Sequence, residues 1–87
     1  MVRVYYSDHF TKQVKKLTEK QQAKLAQLVV VLKENPFNPQ LKTKSLSGRL
    51  VGFYSFRLER DFRALFKFLS PNEILLFNVG HRKDIYR

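Results

Sequence analysis

Two aromatic runs, Tyr54 to Leu58 and Phe62 to Phe68, alternate apolar and polar residues with a period of two. That period belongs to half-buried strands rather than to a helix. Glu59, Arg60 and Asp61 alone separate the runs, so they are expected to pair as antiparallel strands. Tyr54, Phe56 and Leu58 then face a core, as do Phe62, Ala64, Phe66 and Phe68. Ser55, Arg57, Arg63 and Lys67 fall on the opposite face, with the cations of both strands within reach of one bound anion.

The rest of the chain must cover the apolar face. Val2 to Tyr6 alternates and reads as a short strand. Ser7 caps a helix whose Phe10, Val14 and Leu17 form an apolar stripe. Thr18 and Gln21 have capping-box spacing and start a second helix carrying Leu25, Leu28, Val29 and Leu32. Pro36 and Pro39 stop it near Glu34. Lys42 to Ser47 reads as a basic connector, and Ser70, Pro71 and Asn72 as a turn. Ile74 to Val79 is an almost unbroken apolar strand, as suits one central in its sheet. The tail HRKDIYR is expected to fold back on the sheet as a turn or short helix. The sum is an α+β fold: an N-terminal strand and a helix hairpin packed on one face of an antiparallel sheet.

Eighty-seven residues suit a single domain over 1–87. There is no cysteine, hence neither disulfide nor thiolate chemistry. His9 and His81 are the only histidines, so neither a metal site nor a cofactor is expected. No apolar run approaches the ~20 residues of a membrane span, and MVRVYY has no signal-peptide pattern. A cytoplasmic protein with no membrane partner is the default expectation. The net charge of +10, from 17 Lys+Arg against 7 Asp+Glu, implies attraction to polyanions, whether nucleic acid or an acidic protein. Eight lysines and Arg3 occupy the chain up to Lys44, whereas arginine dominates from Ser45 onward. Because arginine grips phosphate oxygens two at a time, specific chemistry is expected in the second half.

Arg57, Arg63 and Lys67, with His81, Arg82 and Tyr86 of the tail, fit metal-independent RNA cleavage. When a 2′-hydroxyl attacks its neighbouring phosphorus, the protein need only align the strand, move two protons and stabilise charge on the phosphoryl oxygens. The same residues also have plainer readings. Surface arginines pair with carboxylates such as Glu59, Asp61 or Asp84, His81 is a structural or capping histidine, Tyr86 anchors the tail, and the helix lysines form a solvated face.

The blocks LSGRLVGFYSFRL, DFRALFKF and VGHRKDIYR, in this order along nearly the whole chain, resemble the RelE/ParE superfamily of toxin–antitoxin toxins. The resemblance implies a microbial RNase-like fold and, on the RelE branch, cleavage of messenger RNA in the ribosomal A site. It also implies inhibition by a cognate antitoxin in a hetero-oligomeric complex. By that resemblance Arg63 stabilises the transition-state phosphate and Arg57 contributes charge or deprotonation. Arg82 protonates the leaving oxygen or balances charge, and Tyr86 orients the RNA. Lys42, Arg49, Lys67 and Lys83 are expected to bind RNA. Lys44 falls where the YoeB-like branch has an acidic base, and Ser55 where some RelE enzymes have a second lysine. An imidazole exchanges protons near neutral pH and a guanidinium does not, so His81 or Lys44 is the expected proton-transfer group.

Two rivals share the motif. The ParE branch poisons DNA gyrase without nuclease residues, and its HRxDxY tail is common to both branches. A catalytically inactive basic module that only holds an antitoxin needs the same charge and no proton transfer.

Overall fold

The computed structural model describes residues 1–86. In chain order it contains β1 (Arg3–Tyr6), α1 (Asp8–Val14), α2 (Glu19–Glu34), β2 (Lys44–Ser45), β3 (Tyr54–Glu59), β4 (Phe62–Ser70), β5 (Glu73–His81) and α3 (Arg82–Ile85). Arg87, the last residue of the tail motif, lies outside the described residues.

Local chemistry fixes the helix boundaries. Ser7 Oγ accepts from the Phe10 N–H at 3.0 Å and starts α1. The expected stripe through Leu17 is shortened, because α1 ends at Val14 and the following turn delivers Leu17 to the core. The cause lies in the next residue. Thr18 Oγ1 accepts from the Gln21 N–H at 3.1 Å while Gln21 Oε1 accepts from the Thr18 N–H at 3.0 Å, and this capping box holds Thr18 extended. One helix cannot run through that conformation. Gln22 Nε2 then satisfies the carbonyls of Val14 and Leu17, at 3.0 and 3.1 Å.

The sheet order is β1-β5-β4-β3-β2. The hairpin forms as the alternation requires, with Phe56 opposite Ala64 and Arg57 opposite Arg63. Two details differ from expectation. Strand β1 pairs parallel with β5, Val4 opposite Ile74, so the sheet is mixed rather than wholly antiparallel. The connector also contains a strand, β2, in which Lys44 stands opposite Ser55. Both helices cover one face, where Phe10, Leu25, Leu28 and Leu32 meet Phe56, Ala64, Phe66, Ile74, Leu76 and Val79. No described helix is long and apolar enough to cross a membrane.

The opposite face is less open than alternation suggests. Leu65 and Ser55 are buried on it. Strand β5 skips a residue between Asn78, opposite Leu65, and Leu76, opposite Phe66. The extra residue, Phe77, meets Phe53 with ring centroids 4.9 Å apart. Helix α3 covers the far end. A methyl added to Gly80, which stands opposite Arg63, would lie 3.2 Å from Ile85 Cγ2. Ile85, and not the 38% exposed Tyr86, anchors the tail.

Candidate active site

What the helices and α3 leave uncovered is a cationic crevice. Strand β3 contributes Ser55 and Arg57, β4 contributes Arg63, β2 contributes Lys44, and the preceding turn contributes Lys42; together they line a cavity of about 60 Å³. Directly opposite residues of an antiparallel pair project to the same face, so the pairings of Arg57 with Arg63 and of Lys44 with Ser55 bring these cations together. None of the four cations has a carboxylate within ion-pair distance among the described residues.

Arg63 is held by the turn it follows. Its Nη1 donates to the carbonyls of Glu59, Arg60 and Phe62 at 2.7, 2.9 and 3.0 Å. The rest of the guanidinium has no protein acceptor among the described residues and remains available to an anion. The same turn is gripped from its other side by Arg82, whose N–H donates to the Asp61 carbonyl at 2.8 Å and whose Nε lies 3.8 Å from Asp61 Oδ1. Arg82 thus follows the plainer expectation of a surface arginine paired with a carboxylate, and reaches the crevice only through the turn.

Lys42 has φ 51°, the one positive value at a non-glycine residue among those described. Its backbone ends the short turn Pro39–Leu41 in the left-handed region, where a side chain is strained. That strain sits at a residue lining the crevice.

His81 stands opposite Phe62, one residue beyond the Gly80–Arg63 pair, and so projects toward the other side of the pleat. It lies in a separate cavity of about 320 Å³ at the sheet end, lined also by Gln13, Lys16, Leu17 and Asp84. Its Nδ1 accepts from the Lys83 N–H at 3.1 Å, capping α3, which leaves Nε2 to carry the proton of a neutral ring. Phe62 meets the ring edge-on at 5.6 Å. Lys67 lies four residues along β4 from Arg63, Arg49 is exposed in the turn Gly48–Leu50, and Tyr86 and the Lys83 side chain are exposed on α3. None of these four lines the crevice.

Expectation from sequence missed a neighbouring cavity. Lys24, Leu28, Gln40, Lys42, Arg57, Leu58, Glu59 and Arg60 line a space of about 340 Å³ between α2 and the end of β3. Its only sequence signal was the spacing that sets Gln21, Lys24 and Leu28 on one helix face.

No protein-family model matches the sequence, and a search of curated proteins finds no match. Among solved structures, Escherichia coli YafQ is similar over 100% of both chains, with TM-score 0.81 and 22% identity. A YoeB/ParE toxin from Agrobacterium tumefaciens matches at TM-score 0.79 and 15% identity, covering 92% of this chain and 98% of its own. A chain of the Mycobacterium tuberculosis toxin–antitoxin complex RelBE2 matches at 0.78 and 20%, covering 93% and 98%. A helix hairpin on one face of a five-stranded mixed sheet, with a cationic crevice on the other, is therefore built on the fold that YafQ and the YoeB/ParE toxin share.

Proposed function

We propose that this protein is the toxin of a type II toxin–antitoxin module and a metal-independent endoribonuclease acting on messenger RNA in the ribosomal A site. The observation that carries the reading is the convergence of Lys42, Lys44, Arg57 and Arg63 on one crevice with no neutralising carboxylate among the described residues. In the reaction, O2′ attacks the adjacent phosphorus, the bond to O5′ breaks, and a cyclic 2′,3′-phosphate and a 5′-hydroxyl result. Arg57 and Arg63 stabilise the charge that grows on the phosphoryl oxygens. Arg63 does so preorganised, since the turn carbonyls orient it before RNA arrives. Of the two amines in the crevice, Lys42 and Lys44, the proton transfer is assigned to Lys44; His81, at the sheet end, is the second candidate. Arg82 and Tyr86 contact RNA from α3. The partner is an antitoxin, a reading supported by the shared fold with a structure described as a toxin–antitoxin complex and by the net charge of +10.

The test is a translating extract with a defined message in which new 5′ ends are mapped for the parent and for Arg63→Ala, Lys44→Met and His81→Gln. Cuts within A-site codons that fall at least about 100-fold with Arg63→Ala are expected, the scale of losing a transition-state donor. Loss with Lys44→Met and retention with His81→Gln assigns the proton to the crevice, and the reverse moves it to the sheet end. An intact message in an extract that nevertheless suffers gyrase-dependent DNA breaks would replace this reading with the gyrase poison. An intact message with no toxicity would leave the binding module.

A further inference from the structure

The crevice and the cavity between α2 and β3 are neighbours that share two lining residues, Lys42 and Arg57. We propose that this second cavity is a subsite for the nucleotide flanking the cleaved phosphate. In that arrangement single-stranded RNA runs from Arg63 over the edge of β3 to helix α2. The proposal rests on the ribonuclease reading.

Size separates the roles of the two spaces. About 60 Å³ admits little beyond the oxygens of one phosphate, whereas about 340 Å³ falls within the roughly 300–1,000 Å³ of sites that hold a small organic ligand. The charge of the larger one suits a phosphodiester. Lys24, Lys42, Arg57 and Arg60 line it with a single carboxylate among the described residues, Glu59. That carboxylate is engaged by helix α2, since Gln21 Nε2 donates to its Oε1 at 2.6 Å, and it forms no ion pair with the four cations. Leu28 and Leu58 also border it but are almost wholly buried, so a ribose or base would meet mainly its cationic rim.

The turn Pro39–Leu41 borders this path, and no described strand closes it. Strand β2 is two residues long and pairs β3 no further than Ser55, so beyond that point no described strand covers the β3 edge. Cations on a backbone-tracking path grip phosphates and read no sequence, so the subsite raises affinity for any RNA.

The experiment titrates a fluorescent hexanucleotide, 2′-O-methylated throughout so that it cannot be cut, with the protein at several salt concentrations. A Lys24→Gln/Arg60→Gln variant is compared with the parent and with Lys12→Gln/Lys15→Gln, which removes the same charge from positions outside the cavity. The cavity variant is expected to bind about tenfold more weakly. Its slope of log affinity against log salt is expected to be shallower by about 0.7 for each phosphate that the protein no longer neutralises. The control is expected to stay within about twofold of the parent with an unchanged slope. An unchanged slope in the cavity variant, or an equal weakening in the control, overturns the subsite. An Arg63→Gln variant separates the two claims. If it loses message cleavage while the cavity variant binds RNA like the parent, only the subsite falls; if it cuts message like the parent, the ribonuclease reading falls with it.

Discussion

At Lys42 stability and function pull in opposite directions. A lysine held at φ 51° costs about 1–2 kcal/mol relative to an unstrained residue, and such strain collects where a side chain is needed in place. Glycine removes the strain but loses about 0.5–1 kcal/mol to the greater freedom of the unfolded chain. Lys42→Gly is therefore expected to leave stability to urea unchanged or raised by up to about 1.5 kcal/mol, the difference between those two effects. RNA affinity in the same variant is expected to fall several-fold, since one of the two cations shared by both cavities is gone. A variant that is destabilised and binds normally would show that the lysine serves the fold.

The elements differ in what holds them and in how plainly the sequence displayed them. Thr18→Ala removes the acceptor that divides α1 from α2 and is expected to cost about 1 kcal/mol, read as a lower urea midpoint with an unchanged slope. Circular dichroism should show α2 retained, because Leu25, Leu28, Val29 and Leu32 still pack on the sheet. The hairpin and its two facing arginines were legible because alternation and a short turn leave one register. Strand β2 was not, since Lys44 and Ser45 are too few to show a period. The early end of α1 was written in Thr18, yet Leu17 fitted the helical stripe and masked it. The cover over Leu65 and Ser55 depends on the extra residue Phe77, an irregularity of pairing that no single strand reveals. A structural or capping role for His81, which the structure makes the cap of α3, was legible. Its separation from the arginines was not, for it depends on which side of the pleat β5 presents opposite Phe62.

The whole molecule measures 31 × 28 × 26 Å and carries a charge of +10. At 0.01 M salt the screening length is about 30 Å, so every cation repels every other across the protein; at 0.15 M it is about 8 Å and only neighbours interact. Attraction does little to offset this. The pair of Arg82 with Asp61 is exposed and long at 3.8 Å, of a kind that contributes about 0–1 kcal/mol, and the four cations of the crevice have no such partner among the described residues. Folding gathers these charges, so repulsion weighs against the compact state and salt relieves it. The urea midpoint is therefore expected to rise between 0.01 M and 0.15 M sodium chloride, the two ends of that screening range, and a midpoint that falls would mean that ion pairs outweigh repulsion in the fold. A polyanion bound at the crevice is expected to stabilise more than salt of equal ionic strength, because it engages the folded arrangement of Arg57 and Arg63 and not the unfolded chain. A short 2′-O-methyl RNA and sulfate compared at matched ionic strength separate the two contributions: equal stabilisation would reduce the crevice to its charge, and an excess with RNA that disappears in Arg63→Ala would assign it to the arranged guanidinium.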